Sequence, residues 1–121
     1  MPNAYKILAQ TGSSGSYGNG SETLTATTNK NLYTVPASTQ TVLSTITICN
    51  QAASAASYRI AVRPAAASIA ASHYIAYDIP IAANDTTALT LGITLNATDV
   101  VTVYSSTTTM SFHAYGSEIT A

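Results

Sequence analysis

Residues 41–50 read TVLSTITICN, which places Val42, Ile46 and Ile48 on one face of an extended segment and Thr41, Thr45 and Thr47 on the other. An apolar side chain at every second position marks a half-buried strand, because successive strand residues point to opposite faces. Its β-branched content suits a pleated surface. The same period returns where Tyr58, Ile60 and Val62 alternate with Arg59, Ala61 and Arg63, and where Ile75, Tyr77, Ile79 and Ile81 alternate with Tyr74, Ala76, Asp78 and Pro80. It returns again in Leu89, Leu91, Ile93 and Leu95 against Ala88, Thr90, Gly92 and Thr94, and in Val101 and Val103 against Thr102 and Tyr104. A last run covers residues 110–115 and is closed by Gly116.

Turn-forming residues separate these runs: Pro36 within 35–38, the small polar stretch 51–55, Asn84-Asp85 in 83–85, and Asn96 with Asp99 at the ends of 96–99. Adding 4–10 and 31–35 makes about eight short strands, with no room between them for the long helices that parallel pairing requires. The predicted fold class is all-β: an antiparallel β-sandwich or a jelly-roll-like barrel, in a single domain spanning 1–121. Two segments lack the period. Residues 11–21, TGSSGSYGNGS, read as a loop or flexible arm, and 65–72, AAASIAAS, as a loop with a single turn of helix.

Composition narrows the classes further. The chain of 121 residues has 4 Lys or Arg and 5 Asp or Glu, against 21 Ala, 20 Thr and 14 Ser. Disorder is disfavoured by a hydrophobic content of 46%. A net charge of -1 without basic clusters gives no footing for nucleic acid or an anionic membrane. No apolar run is long enough to span a bilayer as a helix. The lone Cys49 cannot form an intrachain disulfide, so the fold is expected to hold without covalent staples. Met1, Pro2, Asn3 and Ala4 lack a basic segment leading into an apolar one, so no signal peptide is expected.

Candidate chemistry is sparse. His73 and His113 sit beside Tyr74 and Tyr115 with no carboxylate brought near by sequence, and Cys49 has the ordinary profile of a small buried hydrophobe. Glu22, Asp78, Asp85, Asp99 and Glu118 have neither calcium-loop nor zinc-site spacing. No catalytic residue, metal or cofactor is expected. Asn84 and Asn96 match the glycosylation triplet but read better as turn residues. With no Trp and one Phe, a sugar-stacking platform would depend on Tyr, and strict alternation puts Tyr74 and Tyr77 on opposite faces. Arg59 and Arg63 share the polar face of one strand, and Asp78 lies on the outer face of the next. The pair is either tied to Asp78 or clamps a neighbouring subunit, with Tyr74 as a further interface candidate.

The blocks Leu32-Tyr33-Thr34-Val35-Pro36-Ala37, Thr45-Ile46-Thr47-Ile48-Cys49-Asn50 and Tyr58-Arg59-Ile60-Ala61-Val62-Arg63-Pro64 follow one another in order. His73-Tyr74-Ile75-Ala76-Tyr77-Asp78, Leu89-Thr90-Leu91-Gly92-Ile93 and Asp99-Val100-Val101-Thr102-Val103-Tyr104 continue the succession. It resembles small virion structural proteins of tailed bacteriophages, especially those infecting cyanobacteria. The resemblance implies an assembly component with no catalytic residues to carry over. It points first to a capsid decoration or cement protein on the virion surface, made in the host cytoplasm, bound to the major capsid protein and homo-oligomeric, a trimer being the expected form. A tail fibre, neck or baseplate part comes second, a host-glycan-binding adsorption module third and an enzyme last.

Overall fold

The longest strand, β4 (Thr39–Asn50), has a partner on each side, and the fold is built around such pairings. In the computed structural model, which describes residues 5–120, the other strands are β1 (Tyr5–Gly12), β2 (Gly15–Gly18), β3 (Lys30–Thr34), β5 (Ala56–Arg63), β6 (Tyr74–Ile81), β7 (Thr86–Leu95), β8 (Val100–Ser105) and β9 (Met110–Thr120). They form a five-stranded sheet in the order β2-β1-β9-β4-β7 and a four-stranded sheet in the order β3-β8-β5-β6. Every pairing is antiparallel. Leaving β2 aside, β1 pairs with β9, β3 with β8, β4 with β7 and β5 with β6. This nesting of first with last is one long antiparallel hairpin rolled into two facing sheets, the jelly roll.

The turns anticipated at 35–38, 51–55, 83–85 and 96–99 all fall between strands. Asn50 closes two of them at once: its Nδ2 donates to the carbonyls of Ser54 (3.0 Å) and Ala82 (3.1 Å), and its Oδ1 accepts from Ala52 N–H (3.0 Å). Between the sheets Tyr58 meets Phe112 edge-on, ring centroids 6.4 Å apart, within an apolar cluster that includes Ile46, Ile48, Ile60 and Val103. Among the described residues no buried side-chain nitrogen or oxygen lacks a hydrogen-bond partner, as a low-dielectric interior demands.

Register shifts change which side chains face the core. Leu43 and Thr45 oppose consecutive residues of β9, Gly116 and Tyr115, so Ser44 is an extra residue in β4. Before this bulge the phase is inverted relative to simple alternation: Thr39, Thr41 and Leu43 are buried, and Val42 faces outward. In β6, Ala76 and Ile79 oppose Ile60 and Tyr58, so three residues there span two on β5. Ala76 consequently packs on the core, while Ile75 and Tyr77, expected inside, are about half exposed at 49% and 54%. Another shift, with Gly92 at φ 63°, turns Leu91 out of the face shared by Leu89 and Ile93.

The segment expected to be a loop or arm is more ordered than its composition suggested. Residues of β2 pair with residues 9–12 of β1, making nine strands rather than eight. The following turn is fastened by Asn19, whose Nδ2 donates to Thr34 O (2.6 Å) and whose carbonyl accepts from Thr34 N–H (2.9 Å). Residues 64–73 carry two single 3₁₀ turns, Pro64–Ala66 and Ala71–His73, close to the reading of that stretch.

Candidate functional site

Alternation along β5 directs Tyr58 and Ile60 inward and Arg59 outward, onto the exterior of the four-stranded sheet. Its direct cross-strand neighbour on β8 is Tyr104. On the other side, the β6 bulge delivers Tyr77 and Asp78. The guanidinium carbon lies 4.2 Å from the Tyr77 ring centroid and 4.2 Å from that of Tyr104, a double cation–π sandwich. Arg59 Nε donates to Asp78 Oδ1 at 2.6 Å and Nη2 donates to Oδ2 at 3.3 Å, the fork arrangement that fixes a carboxylate in a plane. Hydrogen bonding to Asp78 also holds the guanidinium charged more firmly than usual. Because the pair is solvent-exposed, its net effect on stability is small and its effect on position is the larger one.

That position is unusual for the backbone. Asp78 has φ 50°, in the left-handed region that residues other than glycine occupy at a cost, with Asp among the more tolerant. The arginine fork holds it there. A second register shift, in which Ala76 and Tyr74 oppose the consecutive residues Ile60 and Ala61 so that Ile75 is extra, puts Tyr74 on the same side as Tyr77, with ring centroids 4.9 Å apart and planes at 84°. The expectation that these two tyrosines face opposite ways is therefore wrong, because the extra residue shifts the phase of the strand between them. Beside them Ile69, Ala70 and Ala71 complete an open groove of about 540 Å³.

Arg63 shares the face of Arg59 but has separate partners. Its Nε donates to Thr102 Oγ1 (3.0 Å), Nη1 to Ala67 O (2.8 Å) and Nη2 to Asn31 Oδ1 (2.9 Å). It braces β3, β8 and the 64–73 segment against one another. Asp99 Oδ1 holds the same segment by accepting from Ala65 N–H at 2.8 Å, and His73 Nδ1 accepts from Ala70 N–H at 3.1 Å. Of the four residues singled out from sequence, Arg59, Asp78 and Tyr74 thus gather around one groove, and Arg63 supports its wall. Tyr77 and Tyr104 were missed. Asp78, an αL-tolerant residue inside an otherwise apolar run, was the one local sign of a bulge.

The opposite exterior, that of the five-stranded sheet, has a different character. The register lines up Thr90, Thr45 and Tyr115 in one row and Ala88, Thr47 and His113 in the next. Among the described residues, no charged side chain belongs to this face. Lys6 and Glu118 alternate to the inner side and pair at 2.9 Å. His113 Nδ1 lies 3.0 Å from Tyr115 Oη and 3.4 Å from Gln10 Nε2, and no hydrogen bond joins it to the half-buried Cys49. The described residues contain no cluster of three His, Cys, Asp or Glu able to hold a metal ion. Compared with protein-family models and with curated proteins, the chain matches none.

Proposed function

We propose that this chain is a non-enzymatic structural protein of a bacteriophage virion, seated as a decoration protein on the major capsid protein and stabilising the head. The observation that carries the reading is the uncharged, hydroxyl-lined exterior of the five-stranded sheet, bordered by β7, an edge strand of 10 residues without charge or proline. An isolated protein ordinarily guards long edges and flat faces with charge. A subunit of a repeating shell instead covers them with neighbours. Jelly rolls serve as capsid domains among other uses, which agrees with this assignment. The ordered blocks between residues 31 and 104 that resemble phage virion proteins point the same way.

The test is addition of the purified chain to heads stripped of their accessory proteins. Binding in a fixed copy number, with a higher melting temperature of the head, is the expected result. Thr47→Lys, which places a charge at the centre of the five-stranded face, should abolish addition while leaving the isolated domain folded. Wild-type protein that neither binds nor stabilises heads would overturn the proposal. Antibody labelling confined to tails would reassign it to a fibre, neck or baseplate role.

A further inference from the structure

We propose that the corner formed by Tyr74 and Tyr77 is a binding site for a neutral saccharide. The inference stands apart from the assembly role, since it concerns the other sheet and can be measured on the isolated chain. Its basis is the way the fold departs from regular structure at this point. Strict alternation would leave Tyr77 in the core and Tyr74 outside. Instead, the β6 bulge and the left-handed Asp78 turn Tyr77 outward, and the Arg59 fork and cation–π sandwich hold both residues in place. Backbone strain maintained by surrounding contacts is concentrated at functional sites, and edge bulges commonly re-aim a side chain toward one.

The groove is preorganised on its other wall as well. Arg63, Asp99 and His73 each bond the backbone of the 64–73 segment, fixing Ile69, Ala70 and Ala71 opposite the two rings. Small alanines keep that wall low, so the parts of the two rings not covered by Arg59 or by each other stay open to the groove. At about 540 Å³ the space is within the range of small-molecule sites and suits a short saccharide. Two rings at 84° offer apolar surface in two directions, against which the C–H face of a pyranose can pack. Among the described residues, neither phenolic hydroxyl of Tyr74 and Tyr77 has a hydrogen-bond partner, so both are free for sugar hydroxyls. The Asp78 carboxylate, about half exposed at 47%, keeps acceptor capacity beyond its bonds to Arg59.

Charge selects among ligands. Arg59 already lies against Tyr77, so a cation brought to that ring would meet a fixed positive charge; an anion would meet the exposed Asp78 carboxylate. A neutral, hydroxylated ring avoids both. An extended peptide would seek the β6 edge, but Pro80 and the bulge break the row of backbone donors that strand addition needs.

Titration of the ¹⁵N-labelled full chain with neutral gluco-, manno- and galacto-oligosaccharides, followed by NMR, provides the test. At least one series is expected to shift the amides of residues 69–78 selectively. Tyr77→Ala should weaken that binding at least tenfold, and Tyr77→Phe should retain most of it. Ala71→Arg, which fills the groove while both tyrosines are kept, should also abolish the shifts. No response to any neutral series would overturn the proposal. So would shifts that survive both Tyr77→Ala and Ala71→Arg, or stronger binding by uronic-acid oligosaccharides or a proline-rich peptide.

Discussion

Tyr33 and Glu118 are 85 positions apart in sequence, yet the Tyr33 hydroxyl donates to the Glu118 carboxylate and shares a 2.9 Å bond with Thr41 Oγ1. Tyr33 is fully buried, and Glu118 also pairs with Lys6 at 2.9 Å. Burial, then the bond to Glu118, pushes the Tyr33 phenol above its ordinary 10.0. Burial alone would raise Glu118, but the bonds from Lys6 and Tyr33 and the Lys6 charge outweigh it, so the carboxyl titrates below its ordinary 4.5. A depressed carboxyl stabilises the fold above the unfolded value and loses that contribution as pH falls through the folded one. A raised phenol does the converse: its contribution is complete below 10.0 and is lost as pH climbs beyond it. Thermal melts across pH should therefore show a plateau between these limits. Glu118→Gln should make the acid limb shallower, and Tyr33→Phe the alkaline limb. Unchanged limbs in both variants would contradict this account. Tyr33→Phe should also cost about 1–3 kcal/mol at neutral pH, because two buried or half-buried partners lose a hydrogen bond.

At the scale of elements, the bulges determine which strand surface does what. The extra residue in β4 draws its backbone over Gly116, where an added Cβ would stand 2.0 Å from Val42 O. Gly116→Ala must therefore push two paired strands apart, and a loss of about 1–3 kcal/mol is expected in denaturant unfolding, within the usual range for overpacking. A change below a few tenths of that would mean the strands can separate freely. The four sheet edges are also unequal. β2 has only 4 residues, β3 has 5, and β6 is interrupted by Pro80 and its bulge. β7 has the bulge at Gly92 but otherwise presents a long uncharged edge with Leu91 half exposed at 50%. Lysine is the usual guard of such an edge. Leu91→Lys should reduce concentration-dependent association in sedimentation velocity without lowering the melting temperature. Association that is unaffected would place the contact elsewhere.

Across the whole molecule, the scarcity of charge acquires a distribution. Arg59 is spent on Asp78, Lys6 on Glu118, and Arg63 and Asp99 on the 64–73 segment, so few ionic groups remain to keep copies apart. One exterior is left flat and hydroxylic, and the other carries an aromatic groove; the assembly and saccharide proposals correspond to these two faces. The period-two runs and the turn residues determined the all-β class and the location of the strands between residues 31 and 115, since side-chain alternation and turn conformation are local properties. The β2 hairpin escaped that reading because glycine and serine carry no apolar period. Strand order, the nested jelly-roll pairing and the meeting of Tyr33 with Glu118 were decided by the tertiary structure. So was the facing of Val42, Tyr77 and Leu91, because a bulge is a mismatch between two strands. One extra residue reverses every side chain beyond it, and only the partner's register reveals where it falls.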